Sequence, residues 1–82
     1  MADKTRVIVA GALGRMGIET VKAIEQDEEL ALVAAVDIKA RGESVSDITG
    51  LKGISLTIDN DLEAALERTK PQVLVDFTNP QA

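Results

Sequence analysis

Short apolar runs alternate along this chain with segments in which apolar residues recur three or four positions apart. Val7, Ile8, Val9 and Ala10 form the first run, and the strand predicted from it spans about Arg6 to Ala10. A helix is predicted from near Gly14 to about Gln26, with Gly17, Val21 and Ile24 turned toward a sheet. Asp27-Glu28-Glu29 ends that helix, and Leu32 to Val36 reads as a second strand, apolar on both faces as in a buried parallel sheet. From Ile38 to Gly53, Gly42, Ser44, Ser46, Asp47, Thr49, Gly50 and Gly53 break any period, which predicts a long loop. Such loops are often functional or mobile.

Ile54 to Ile58 is expected to form a short third strand. A second helix follows, with Asn60 as its cap and Glu63 as the reciprocal partner of a capping box. Leu62, Ala65, Leu66 and Thr69 mark its buried stripe; Arg68 and Lys70 suit its negative end, and Pro71 stops it. Val73 to Val75 is a fourth strand, ending in Asp76-Phe77-Thr78-Asn79-Pro80. Strands alternating with helices predict an α/β, Rossmann-like parallel sheet with right-handed crossovers. The expected strand order is 3-2-1-4, which puts the turn after the first strand where the order reverses and ligands bind. Two helices are too few to cover both faces of four parallel strands. Residues 1–82 therefore read as the front part of a longer protein, cut after the fourth strand.

The turn after the first strand holds Gly11, Gly14 and Gly17. A strand, a glycine-rich turn and a helix start together make a dinucleotide phosphate site. Gly11 supplies the turn, Gly14 leaves room for a pyrophosphate, and Gly17 lets the helix lie close on the strand. The free N–H groups and dipole of the helix start favour phosphate. The spacing is a variant of the commoner pattern, and glycines also gather in ordinary turns. Asp37, at the end of the second strand and about 20 residues past the last glycine, stands where the ribose-binding acid of this fold belongs; the rival reading is a turn or capping residue.

Composition narrows the classes. The chain has 82 residues, 45% of them hydrophobic, which suits one small globular domain with a thin core. Its single aromatic is Phe77. A net charge of −5 argues against nucleic acid as a partner. The absence of cysteine and histidine excludes disulfides, thiolate catalysis and the commonest metal ligands. The polar start lacks a signal-peptide core, and no apolar run reaches the roughly 20 residues of a membrane span, so a cytoplasmic protein is expected.

Gly-Ala-Leu-Gly-Arg-Met-Gly, from Gly11 to Gly17, resembles the Gly-Ala-x-Gly-Arg-Met-Gly signature of the dihydrodipicolinate reductase family. These are the 4-hydroxy-tetrahydrodipicolinate reductases of lysine and diaminopimelate biosynthesis. Leu32 to Asp37 is similar to the family's second strand with its acidic end, and Asp59-Asn60-Asp61-Leu62 to its later helix start. Asp76-Phe77-Thr78-Asn79-Pro80 resembles its Asp-Phe-Thr-x-Pro loop. The resemblance implies hydride transfer from NADPH or NADH to a cyclic unsaturated dicarboxylate, in an enzyme that is usually a homotetramer. It also implies cofactor contacts at Gly11, Gly14, Arg15, Met16, Asp37, Phe77 and Thr78, and Ala12, Gly17 and Lys39 complete the expected cofactor site. Met16 reads equally as a helix–sheet contact, and Phe77 as a core plug. Arg15 reads as a phosphate donor, or as a solvated arginine at a helix end that disfavours cations. Lys39 and Arg41 are either 2′-phosphate ligands or solvated loop charges, so dual use of the two cofactors is expected.

There are departures. Gly42-Glu43-Ser44-Val45-Ser46-Asp47 matches the family's Gly-x-Asp-x-Gly-like pattern only loosely. The resemblance implies a substrate and catalytic domain that is absent from this chain: the family's paired histidines and its lysine, proposed as proton donor and substrate clamps, have no counterpart in these 82 residues. By itself the chain is expected to hold cofactor and to turn nothing over. Two other identities fit the same front part: the cofactor domain of a different Rossmann oxidoreductase, and a stand-alone nucleotide-binding module.

Overall fold

The computed structural model describes residues 3–78. Its elements are β1 (Thr5–Ala10), α1 (Arg15–Glu25), β2 (Leu30–Val36), α2 (Val45–Thr49), α3 (Leu62–Thr69) and β3 (Val73–Asp76). The strands form one parallel sheet in the order β2-β1-β3. Thr5 to Val7 pair with Leu30 to Leu32, the register shifts between Val7 and Ile8, and Ile8 to Ala10 pair with Ala34 to Val36. On the other side Val7 to Ala10 pair with Val73 to Asp76.

β1 is central and buried on both faces, because parallel strands joined by helical crossovers are covered from two sides. Val7 and Val9 point into a core built with Val21 and Ile24 of α1, Leu32, Ala35, Val45 and Ile58. Ile8 points the other way, into a smaller cluster with Ala34, Val36 and Ala65 of α3. Each face thus has one main helix. Cover is thin over β3, where Val73 and Leu74 are 42% and 44% exposed. Arg6 anchors the lower end of the sheet: its N–H donates to the Gln72 side chain, and its guanidinium donates to the Lys70 carbonyl.

Three expectations need correction. Residues 54–58 do not form a regular strand, so the sheet has three strands and the four-stranded order 3-2-1-4 is not seen; the fourth predicted strand is β3. The alternation of Ile54, Leu56 and Ile58 does point inward, but the backbone there is shared between two partners. The Val45 amide donates to the Leu56 carbonyl and the Ile58 amide to the Glu43 carbonyl, so the segment folds back on its own loop. It touches β2 through one parallel bridge, Val36 to Asp59.

The predicted loop also contains helix α2. The Ser44 side chain caps it by accepting the Asp47 N–H at 3.0 Å, Gly50 closes it at φ 75°, and the fully buried Val45 pins it to the core. One apolar anchor in so short a helix leaves no periodicity to read. Finally, α3 is capped by Asp61, which accepts the Ala64 N–H at 3.1 Å, rather than by Asn60. That shift removes the capping box with Glu63. The buried stripe is as expected, with Ala65 buried and Leu62 and Leu66 packed beside it. Among the described residues, no helix is long and apolar enough to cross a membrane.

α1 approaches β1 most closely at Gly17. A Cβ there would lie 2.1 Å from the Gly11 carbonyl oxygen and 2.9 Å from the Ala12 Cα. Gly17→Ala sets this clash against the roughly 1 kcal/mol that alanine gains over glycine inside a helix. Backbone must move to relieve it, and overpacking of this kind costs about 1–3 kcal/mol or more. The expected outcome is a lower denaturant midpoint. A higher midpoint would show that the helix does not approach this closely.

Candidate functional site

The three strands end on one edge of the sheet, and the residues that follow them meet there. Gly11, after β1, takes φ +81°, which the turn requires. Its missing Cβ is required a second time, because one would lie 2.9 Å from the Phe77 carbonyl carbon, after β3. The Phe77 amide in turn donates to the Ala10 carbonyl at 2.9 Å. Phe77 and the glycine turn are therefore backbone neighbours, although they lie at opposite ends of the chain.

The glycine turn hangs from the end of β2. The Gly11 and Ala12 amides both donate to the Val36 carbonyl, at 2.8 and 3.0 Å. The next amide, that of Leu13, donates to Asp37 Oδ2 at 3.0 Å. The other Asp37 oxygen, Oδ1, accepts the Lys39 amide at 2.9 Å. After β3, the Thr78 amide and hydroxyl both donate to Asp76 Oδ1. The hydroxyl first, and then the amide, hold the Asp76 carboxyl below the usual carboxylate range.

These turns enclose a cleft of about 310 Å³ lined by Gly11, Leu13, Gly14, Asp37, Ile38, Lys39, Phe77 and Thr78. Six of the ten residues predicted for the site line it: Gly11, Gly14, Asp37, Lys39, Phe77 and Thr78. Ala12 and Gly17 are buried behind the turn and shape it from the core side. Arg15 and Met16 are exposed in the first turn of α1, next to the cleft but not in its wall. Met16 is therefore not the helix–sheet contact that its apolar character suggests, being 60% exposed. Arg41 is also outside the wall, and its amide donates to the Glu43 carboxylate. That bond is the first cause holding the Glu43 carboxyl below its usual range. Asn79 and Pro80, the end of the predicted loop motif, lie outside the described residues.

Sequence reasoning missed Leu13 and Ile38. Leu13 is the variable position of the glycine turn, and nothing marks it in the sequence. Ile38 carries a signal in hindsight: an isoleucine between Asp37 and Lys39 has no helix or strand to pack in, and it stands 81% exposed.

The start of α1 completes the site. Its N-cap is Gly14, with no side-chain cap, and no acidic residue occupies the first turn. The first bond along the helix is from the Ile18 amide to the Gly14 carbonyl, at 2.9 Å. Among the described residues the amides of Arg15, Met16 and Gly17 have no backbone or side-chain acceptor. Three unpaired donors at the positive end of a helix dipole suit an anion. Gly14 differs from the other two glycines of the turn. A Cβ there meets only the Gly11 carbonyl oxygen, at an ordinary 3.5 Å. The protein itself tolerates a side chain at Gly14; an anion on the helix start would not.

Known proteins resemble the chain over its whole length. The family described as dihydrodipicolinate reductase, N-terminus, matches residues 5–82. A 4-hydroxy-tetrahydrodipicolinate reductase of Syntrophomonas wolfei is 63% identical over 82 residues, covering 100% of this chain and 31% of that protein. The enzyme of the same name from Thermosynechococcus vestitus is 45% identical, again over 100% of this chain and 31% of its own length. The chain thus spans about a third of the curated relatives it matches. Among solved structures, a DUF1611-family protein of Anabaena variabilis superposes with a TM-score of 0.66 at 33% identity, over 100% of this chain and 24% of its own. With the glycine turn, the acid after β2 and the loop after β3 all meeting at one cleft, and with the family match running from residue 5 to residue 82, the chain belongs to the dihydrodipicolinate reductase family and corresponds to its N-terminal part.

Proposed function

We propose that residues 1–82 form the nicotinamide-dinucleotide-binding front of a 4-hydroxy-tetrahydrodipicolinate reductase, a cytoplasmic enzyme of lysine and diaminopimelate biosynthesis. The observation that carries this reading is Gly14. It is the one glycine of the turn that the fold itself does not need, and it stands before three unpaired helix amides. The cofactor's pyrophosphate would sit on those amides, where removing a side chain gives it room. Arg15, an exposed cation at a helix end that repels cations, gains a reason for its place when an anion is bound there.

The remaining roles follow the cleft. Asp37 takes the ribose hydroxyls on the oxygen lone pairs that the Leu13 and Lys39 amides leave free. Phe77 and Thr78, after β3, form the opposite wall along the cofactor. The bound dihydronicotinamide supplies a hydride; the protein's part is binding and orientation. The hydride acceptor is the unsaturated substrate; the residues that hold it and the proton donor are assigned to the part of the protein outside this segment. Calorimetric titration with NADH and NADPH tests the reading, and absence of binding by either would defeat it.

Two substitutions sharpen that test. Gly14→Val places a branched side chain in the space reserved for pyrophosphate while meeting little of the protein. Cofactor binding should fall at least about a hundredfold, or about 2.8 kcal/mol, with the helical circular dichroism unchanged. A variant that binds as well as the parent would place the phosphates elsewhere.

Cofactor choice rests on Asp37 and Lys39. The carboxylate disfavours a 2′-phosphate and the lysine favours it, so a preference below about tenfold is expected, or under about 1.4 kcal/mol. Lys39→Ala should weaken NADPH about threefold to tenfold and spare NADH. Arg41→Ala, outside the cleft wall, should change neither. Equal losses for both cofactors in Lys39→Ala would remove the 2′-phosphate role.

A further inference from the structure

Three consecutive amides tie the glycine turn to the end of β2. Two of them, from Gly11 and Ala12, end on the main-chain carbonyl of Val36. Any residue at position 36 supplies that acceptor. The third, from Leu13, ends on a side chain, Asp37 Oδ2, and no backbone group accepts it among the described residues. Leu13 directly precedes Gly14, the N-cap that sets the direction of the unpaired amides of α1. The Asp37 main chain is itself fixed, its amide donating to the Asp59 carbonyl at 2.8 Å and its carbonyl accepting the Ala40 amide at 2.9 Å. A carboxylate held at both its backbone and its far oxygen acts as a strut between β2 and the phosphate turn.

We propose that Asp37 is a positioning residue for pyrophosphate, in addition to any contact it makes with ribose. It holds the Leu13 amide, and so the glycine turn, in the shape that aims the α1 amides at phosphate before any ligand arrives. The inference rests on the nucleotide-site reading only for the identity of the ligand; the strut itself belongs to the ligand-free protein. It makes a prediction opposite in sign to simple electrostatics. A carboxylate near a diphosphate repels it, so losing the charge alone should tighten binding. Losing the strut should weaken binding.

The test uses the protein at its natural length, with Asp37→Ala and Asp37→Ser. Serine is the milder change: its hydroxyl can still accept the Lys39 amide two residues on, keeping the local turn, but it is too short to reach Leu13. The probes are ADP and 2′,3′-dideoxy-ADP, which carries the same diphosphate and no ribose hydroxyl. If Asp37 only reads ribose, its loss leaves dideoxy-ADP unaffected or bound more tightly. The strut predicts that dideoxy-ADP affinity falls about fivefold or more in both variants.

Hydrogen exchange with residue-level readout supplies the second measurement, without ligand. The Leu13 amide should exchange about tenfold faster in Asp37→Ser than in the parent. An unchanged Leu13 rate, or dideoxy-ADP affinity that is unchanged or higher, overturns the proposal. A parent protein that binds neither ADP nor dideoxy-ADP defeats the nucleotide-site reading instead, and the Leu13 exchange rate still decides whether Asp37 holds the turn.

Discussion

The structure depends on one close contact, that of helix α1 with the carbonyl of Gly11. No side-chain atom fits between them, since a Cβ on Gly17 would overlap the Gly11 oxygen. That approach draws the start of α1 over the end of β1 and puts its amides beside the strand ends. Gly11 is constrained from a second side by the backbone of Phe77. Helix, central strand and last strand are therefore fastened together through a turn with almost no side chains. The cleft is a product of that fastening, because its walls are what remains exposed around the turn.

Seen this way, the three glycines divide into two kinds. Gly11 and Gly17 are bare because protein atoms lie against them. Gly14 is bare toward open space. A sequence motif treats them alike, and only the packing around each separates the two that folding needs from the one it does not. The same distinction applies to the tether from β2. The Val36 carbonyl is indifferent to sequence, whereas the acceptor for Leu13 depends on an aspartate at position 37.

Much of this was legible in the chain itself. The run from Val7 to Ala10 and the glycines after it located β1, the turn and α1 within a residue or two, because a buried strand and an amphipathic helix leave strong periodic signals. Asp37 stood out by its distance from the turn, and it does line the cleft. What was not legible depends on tertiary choices. Residues 54–58 have the alternation of a strand, yet their hydrogen bonds go largely to Glu43 and Val45, a partner that alternation does not name. Helix α2 rests on one buried valine and a serine cap. Asn60 and Asp61 are both good caps, and which one is used depends on where the preceding bridge to β2 releases the chain. Lys39 and Arg41 look alike as loop cations, and the turn at Asp37 brings only the first to the cleft.

The sheet order has a consequence for how the cleft comes into being. β1 is made first and pairs on one side with a strand from the far end of the segment; Arg6 and Gln72, which close that pairing, are 66 residues apart. One wall of the cleft, at Gly11, emerges early in synthesis, and the other, at Phe77, emerges last. Until the ribosome has released Phe77, the glycine turn has nothing opposite it. A nascent chain growing at about 5–20 residues per second therefore carries its glycine turn for several seconds before the opposite wall of the cleft exists. The cleft takes shape only once the segment from β1 through β3 can close as a unit.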